Sequence, residues 1–535
     1  MKITNIKWDR IYLEIFFDSD KAKKVCFINL DTKDKFYVPV TEKKIKLNIT
    51  NIPGGRMLPE GNWQVMQCTK RGLRPIAITV KQAYQCENLD KVFLYYKNAY
   101  AYIVKIDLMD CEKDENLYCV IRTFYMQKNR KPEKRKASVE ASSMKGKIKR
   151  LFINWAESFL RVLYKFAVMI TKKDGKHILF MSETRTPISG NLKALDQRIK
   201  NRKLPYQTSY YFFKSLQQSE IKTLLCWMKL VFILAKQDYV FVDDYASIFR
   251  IIDLDKRTKL TQVWHAGVGF KSVGYARFGR EGSPHPTVSC HRKYDYVVVG
   301  GEALIPVYQE VFGLDRNRFL PVGLPRLDGY LNKEKVNKSK KEIYLQYPQL
   351  KSRKVILFAP TYRGKGQAEA YYPYEKIDLQ AIYRLCEEKD YMFAVKMHPF
   401  IKKRIEIPSE YASRIIDVTE YQDINELFYI TNILITDFSS NIYEYSLQRK
   451  PIIFYAFDKD VYQIQHGVHR TLDIAPGKVC IRFEDVIQSI RDEDFELEKT
   501  LKFAKDNFSK EKTKSCDKII DHVILSNKKD NILLK

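Results

Sequence analysis

Three short segments in the second half of the chain carry side chains suited to a phosphorylated substrate. Trp264-His265-Ala266-Gly267 places an imidazole ahead of a loop with two glycines, Gly267 and Gly269. Histidine titrates near neutral pH and can act as a general base, and glycine lets the backbone approach a ligand closely. Lys396-Met397-His398-Pro399 offers a second imidazole at a turn fixed by proline, where it can donate to a phosphate oxygen. Asp437-Phe438-Ser439-Ser440 runs into a helical stretch, 441–447, so two hydroxyls coincide with a helix N-terminus whose free N–H groups and dipole favour an anion. Glu444, one turn on, is placed for a sugar or ribose hydroxyl. Thr361-Tyr362-Arg363-Gly364 adds a guanidinium suited to a pyrophosphate. Each segment also has a plainer reading: a loop histidine with a structural hydrogen bond, a Ser or Asp N-cap, a solvated arginine.

Other phosphate and metal signatures are missing from the sequence. There is no G-x-x-x-x-G-K-[ST], no strand-linked G-x-G-x-x-G and no H-E-x-x-H. Asp253-Leu254-Asp255 is flanked by Lys and Arg and reads as surface. The expectation is chemistry without metal or cofactor, resting on helix dipoles, Arg and His.

The elements that must carry these residues follow from hydrophobic patterning. Residues 1–125 read as short β-branched or aromatic strands (11–17, 24–28, 44–49) broken by Pro53-Gly54-Gly55 and Pro59-Glu60-Gly61, a small sandwich-like β domain. From 176 to 340, apolar strands at 177–181, 239–242, 260–264 and 294–299 alternate with helical stretches. From 341 to 535 a second series does the same, at 354–360, 392–396, 433–436 and 451–455. This alternation is that of doubly wound parallel sheets, and His265, His398 and Asp437 each fall just beyond a strand, where such sheets bind ligands. The reading is an α/β chain with two Rossmann-like domains facing a cleft, after a β-rich domain.

The 126–175 connection differs. Within 128–150 stand ten Lys or Arg against two Glu, a net of +8. Ile148, Leu151, Phe152, Trp155, Phe159, Leu163 and Phe166 then recur at helical spacing as one apolar face. A basic stretch feeding an aromatic amphipathic helix suits an anionic bilayer surface, although such a face can equally pack on its own protein. The whole chain carries 93 Lys+Arg against 64 Asp+Glu, a formal charge of +29, which calls for a polyanionic partner. No RRM-, KH- or zinc-finger-like pattern accompanies it, so nucleic acid is not the expected partner. The ten cysteines form no C-x-x-C pair and read as reduced thiols of a cytoplasmic protein. No signal peptide or bilayer-spanning run is evident, so membrane contact is expected to be peripheral.

In chain order, 182–192 (SETRTPISGNL), Val240-Phe241-Val242-Asp243-Asp244, Gln262-Val263-Trp264-His265-Ala266, Phe270-Lys271, Val322-Gly323-Leu324-Pro325-Arg326, 358–363, 396–399 and 437–445 resemble the CDP-glycerol/CDP-ribitol phosphotransferase family of teichoic acid synthesis. The resemblance implies a GT-B-type fold, a CDP-alditol donor, an undecaprenyl-linked teichoic acid acceptor, release of CMP and work at the cytoplasmic face of the membrane. It implies catalytic roles for His265 and His398. Substrate contacts are implied for Gly267, Lys271, Thr361, Arg363, Lys396, Asp437, Ser439, Ser440 and Glu444. Glycerol-phosphate polymerases tend to read Trp-His-Gly at the first motif. Trp264-His265-Ala266-Gly267, with Leu58-Pro59-Glu60-Gly61 in the β-rich segment, looks more like the ribitol-phosphate polymerases. Glycerol-phosphate transfer and a GT-B nucleotide-sugar glycosyltransferase are the alternatives.

Overall fold

The computed structural model describes the chain except for residues 96–99, 112–113, 128–143, 216–218, 265–272, 281–282, 288, 365–368, 467–471, 473–474, 509–513 and 527–535. His265, Gly267 and Lys271 therefore lie outside the described residues, as does most of the basic stretch 128–150.

The first 127 residues form eleven strands joined into one sheet. Short strands such as Lys35–Pro39 and Lys44–Asn48 alternate buried and exposed residues, so each feeds one face to a core. That core is a single apolar cluster holding Ile3, Leu13, Phe27, Leu47, Trp63, Tyr102 and Ile121, from strands across the whole sheet. The two ends of the strand order touch each other, so the sheet curls around this cluster. The longest hairpin pairs Tyr100–Cys111 with Asp114–Gln127.

Two parallel sheets of six strands follow. The first runs, edge to edge, Gln207–Phe212, His177–Ser182, Tyr239–Val242, Lys259–Gln262, Tyr296–Val298, Phe319–Leu320. The second runs Ile415–Asp417, Tyr391–Val395, Lys354–Phe358, Thr431–Thr436, Ile452–Tyr455, Lys478–Cys480. Central strands such as Tyr239–Val242 and Tyr391–Val395 are buried throughout, which is why they read as unbroken apolar runs. In the first sheet the strand order reverses between His177–Ser182 and Tyr239–Val242. In the second it reverses between Lys354–Phe358 and Thr431–Thr436. At such reversals the connecting loops leave in opposite directions and open a crevice at the C-terminal strand ends.

Two placements differ from the sequence reading. Ser515–Ile519 and the wider-wound turn Ile520–Leu525 were grouped with 341–535 by position, yet they pack on the first sheet. Cys516, Ile519 and Val523 meet Ile178, Phe180 and Phe241. Asp517 accepts from Arg198 at 2.8 Å and Arg202 at 3.2 Å, and Asp328 accepts the N–H groups of Ser515 and Cys516. The second concerns the long helix Met144–Ile170. Its packed strip is Ala156, Leu160, Tyr164 and Ala167, not the expected aromatic face. Of that face, Leu163 is half-buried, while Phe152, Trp155 and Phe166 stay 42, 58 and 49% exposed. Small residues at 156 and 167 let the helix approach closely, and the bulky rings point away.

The β domain docks on the first parallel sheet through polar anchors. Arg10 pairs with the buried Glu310 at 2.6 Å, and Tyr12 donates to the same carboxylate at 3.0 Å. Arg292 donates to the carbonyls of Thr50, Gly55 and Gly313 and through Nε to the Tyr275 hydroxyl. A guanidinium presents donors in a fixed fork, so one side chain satisfies three carbonyls. Replacing Arg292 by Ala is expected to lower stability by about 2–4 kcal/mol, because each abandoned acceptor costs roughly 1 kcal/mol or more. Denaturant titration of the full chain checks this; an unchanged midpoint refutes the anchor.

Candidate active site

The reversal point of the second sheet holds a closed charge network. Thr361 follows the strand Lys354–Phe358, and its N–H and hydroxyl both donate to Asp437 Oδ1 at 2.8 Å. Arg363 Nη1 donates to Asp437 Oδ2 at 2.9 Å and to the Thr361 carbonyl at 3.0 Å. Its Nε and Nη2 form a fork on Asp458, at 2.6 and 2.8 Å. Three adjacent strand ends are thereby tied by one guanidinium that is only 5% exposed. Burial pulls its pKa down, and the two carboxylates outweigh that and raise it. The rings of Tyr372, Phe438, Phe457 and Tyr462 surround it, with Phe438 and Tyr462 stacked at 4.1 Å.

Arg363, Thr361 and Asp437 are thus partners of one another. The charge that Arg363 offers a pyrophosphate is largely offset by two carboxylates. Lys396 is 6% exposed, and its Nζ donates to the carbonyls of Thr419 and Tyr421 at 2.7 and 2.6 Å. Burial and nearby Arg404 lower its pKa.

His398 is half-buried between Tyr362 and Phe400, with ring centroids 4.8 and 4.6 Å away. Its Nδ1 accepts the N–H of Phe400 at 3.2 Å. A neutral imidazole that accepts at Nδ1 carries its proton on Nε2, so Nε2 is a donor. The Ser439 hydroxyl accepts the N–H of Asn441 at 3.2 Å, whereas Ser440, at the N-cap position of the helix Asn441–Ser446, makes no side-chain cap. Glu444 is 2% exposed and pairs with Arg326, which belongs to the loop after the last strand of the first sheet.

At the reversal point of the first sheet, Asp244 Oδ2 accepts from the hydroxyls of Ser182, at 2.5 Å, and Thr184. Arg185 reaches the fully buried Asp243 at 3.2 Å. Burial pushes the Asp243 carboxyl up to about 7; Arg185 pulls it back and Asp244 adds to the rise. The buried Glu183 accepts from Ser247 and Ile248 backbone N–H groups and from the Trp227 indole. One strand over, Trp264 adopts φ +36°, left-handed backbone that is unfavourable for a bulky residue. Its N–H donates to Gln262 Oε1 at 2.9 Å, and the Gln262 amide donates to the Asp244 carbonyl at 2.9 Å. Gln262 thus holds the Trp264 backbone from within the strand that leads into it.

Residues 163–525 match the family described as CDP-glycerol:poly(glycerophosphate) glycerophosphotransferase. The chain belongs to this family. The match takes in both parallel sheets and leaves the N-terminal sheet outside. The chain is 34% identical over 370 residues to teichoic acid ribitol-phosphate polymerase TarK of Staphylococcus aureus, covering 68% of this chain and 72% of that one. It is 32% identical over 356 residues to the teichoic acid poly(ribitol-phosphate) polymerase of Bacillus spizizenii, covering 66% and 57%. Among solved structures, the wall teichoic acid polymerase TagF aligns with a TM-score of 0.55 at 20% identity, covering 72% of this chain and 96% of that one. That likeness is one of α/β fold.

Within this family frame, sequence reasoning did not single out Asp458, Asn191, Arg326 or Gln262 by role. Asn191, Gln262 and Arg326 stood inside segments noted for resemblance alone. Asp458 carried no signal, because only its ion pair with a residue 95 positions earlier marks it.

Asp458→Ala is expected to destabilise the chain by about 3 kcal/mol, since it leaves a buried guanidinium half-paired. Arg363→Lys is expected to do nearly as much, because a point charge cannot span both carboxylates. Thermal and denaturant unfolding measure both; wild-type stability in either variant would refute the closed network.

Proposed function

We propose that this chain transfers an alditol phosphate, ribitol phosphate by preference, from a CDP-alditol to a lipid-linked teichoic acid acceptor, releasing CMP and extending a poly(alditol phosphate) chain. The observation that carries this reading is the family match across both parallel sheets, with ribitol-phosphate polymerases among the relatives at over 30% identity. The arrangement reads as GT-B-type, with the donor at the reversal point of the second sheet and the acceptor at the first.

In the reaction an acceptor hydroxyl attacks the alditol-side phosphorus. His265 takes the hydroxyl proton, a new P–O bond forms, and the bond to the bridging oxygen breaks with its electrons left on CMP. His398 is assigned to donate, through Nε2–H, to the phosphate oxygens as charge moves onto the leaving group. Gly267 and Lys271, close to His265 in sequence, are assigned to substrate contact. Ser439 and Ser440 offer hydroxyls to the donor phosphates. Thr361, Lys396, Asp437 and Arg363 are assigned to the donor side, held by their own hydrogen bonds, and Glu444, paired with Arg326, is assigned to a ribose hydroxyl. No metal or cofactor enters this scheme. Glycerol-phosphate transfer by the same steps is the second reading, favoured by the glycerophosphotransferase description of the family.

Incubation with CDP-ribitol and with CDP-glycerol separately, scoring CMP release in the presence of a lipid-linked acceptor, tests the assignment. CDP-ribitol is expected to be used faster, with a phosphodiester in the product; a glycosidic product refutes phosphotransfer. His398→Ala is expected to lower turnover about 10²–10³-fold with the fold intact. Near-wild-type turnover removes His398 from the mechanism.

The site of work is proposed to be the cytoplasmic face of the membrane, through peripheral contact. Among the described residues no helix is long and apolar enough to cross a bilayer. The exposed strip of Met144–Ile170 includes Trp155, stacked on Phe159 at 5.5 Å, with Arg161 and Lys165 exposed nearby. The adjoining helix Glu220–Lys236 leaves Ile221, Leu225 and Phe232 exposed beside Lys222, Lys229 and Lys236. Rings that enter the headgroup region and cations that meet anionic lipid are the two signals reversible attachment needs. Flotation with anionic vesicles is expected to recover the chain at low salt and less of it at high salt. Trp155→Ala with Phe166→Ala is expected to reduce recovery; undiminished binding refutes this contact.

A further inference from the structure

We infer that Asn191 and Arg326 are positioning residues that fix the Val263-Trp264 strand end, the segment preceding His265 in sequence, relative to the second sheet; this rests on the phosphotransfer reading above. Asn191 opens the helix Gly190–Asn201 and is 1% exposed. Its amide nitrogen donates to the carbonyls of Val263, at 2.9 Å, and Trp264, the two residues just before His265. Its amide oxygen accepts the N–H of Arg326 at 3.0 Å. One side chain thus joins the loops that follow two different strands of the first sheet. Only a carboxamide fits: it supplies two donors and an acceptor in one plane, whereas a carboxylate of the same shape would set negative oxygens against two carbonyls.

The Arg326 guanidinium then crosses to the second sheet and pairs with Glu444, in the helix directly behind Ser439 and Ser440. The chain of contacts runs from the Trp264 carbonyl through Asn191 and the Arg326 backbone to Glu444. It links the Val263-Trp264 strand end to the proposed phosphate site across the two sheets. Trp264 is held at φ +36° by these bonds and by Gln262, so its carbonyl direction depends on them. Neither Asn191 nor Arg326 is assigned contact with a reacting atom. Their effect is on registry, where a displacement of about 1 Å can lower turnover roughly 10²-fold.

The test uses the full chain, CDP-alditol donor and lipid-linked acceptor. Wild-type CMP release establishes the reaction; its absence with every CDP-alditol tried would sink the phosphotransfer reading, and the inference with it. Given wild-type activity, Asn191→Asp, which sets a buried carboxylate oxygen against two carbonyls, is expected to melt below wild type and, in the protein that remains folded, to lose about 10²-fold in kcat. Arg326→Ala, which keeps the backbone N–H and removes the tie to Glu444, is expected to lower kcat by a larger factor than it raises donor KM. Arg326→Lys, which restores a positive charge facing Glu444, is expected to recover part of that loss. Unchanged kcat in folded Asn191→Asp or in Arg326→Ala overturns the inference. So does a loss that appears only as a raised donor KM. If Asn191→Asp fails to fold, the Arg326 pair alone decides.

Discussion

The structure of the second sheet turns on one buried cation. A guanidinium removed from water must be paired, and the pairing must come from geometry that the fold supplies. Arg363 meets that need with carboxylates from two other strand ends, Asp437 and Asp458, while Thr361 fills the remaining oxygen of Asp437. The consequence is rigidity where the strand order reverses. The loops after Lys354–Phe358, Thr431–Thr436 and Ile452–Tyr455 cannot drift apart without exposing a charge to an apolar wall of Tyr372, Phe438, Phe457 and Tyr462. Preorganised donors are worth more in such a setting, because no reorganisation is needed when charge develops.

The first sheet solves the same problem with different chemistry. Its reversal point is tied by hydroxyls on Asp244 and by Arg185 on Asp243, and the Asp243 carboxyl is pushed up to about 7 by burial. Two polar clusters of unlike character therefore stand at the C-terminal strand ends of the two sheets. In the proposed reaction the donor pyrophosphate lies at the arginine-centred one and is met by hydroxyls and His398, the charge of Arg363 being already offset. In the same proposal the acceptor hydroxyl is handled at the carboxylate-rich one. Arg326 and Glu444 join the two, and Ser515–Leu525 returns to the first sheet after the second is complete. A two-site transfer needs both, because the attacking oxygen and the phosphorus must meet at a fixed separation.

The sequence by itself determined the order of elements and where chemistry could reside. Apolar runs at 177–181, 239–242, 354–360 and 451–455 are strands because residues buried on both faces leave no polar alternation, and that pattern needs no partner to be read. His398, Asp437 and Ser439 were visible for the same reason, each standing just past such a run. Short edge strands such as Phe319–Leu320 and Ile415–Asp417 were not visible, because two or three residues hold no period. Tertiary structure alone decided the partners. That Arg363 is neutralised by Asp458, that Lys396 is spent on two carbonyls, and that Asn191 ties Trp264 to Arg326 are contacts between residues 23 to 135 positions apart. It also decided which strip of Met144–Ile170 is buried, since an amphipathic helix with apolar residues around much of its circumference offers two faces and only packing chooses between them.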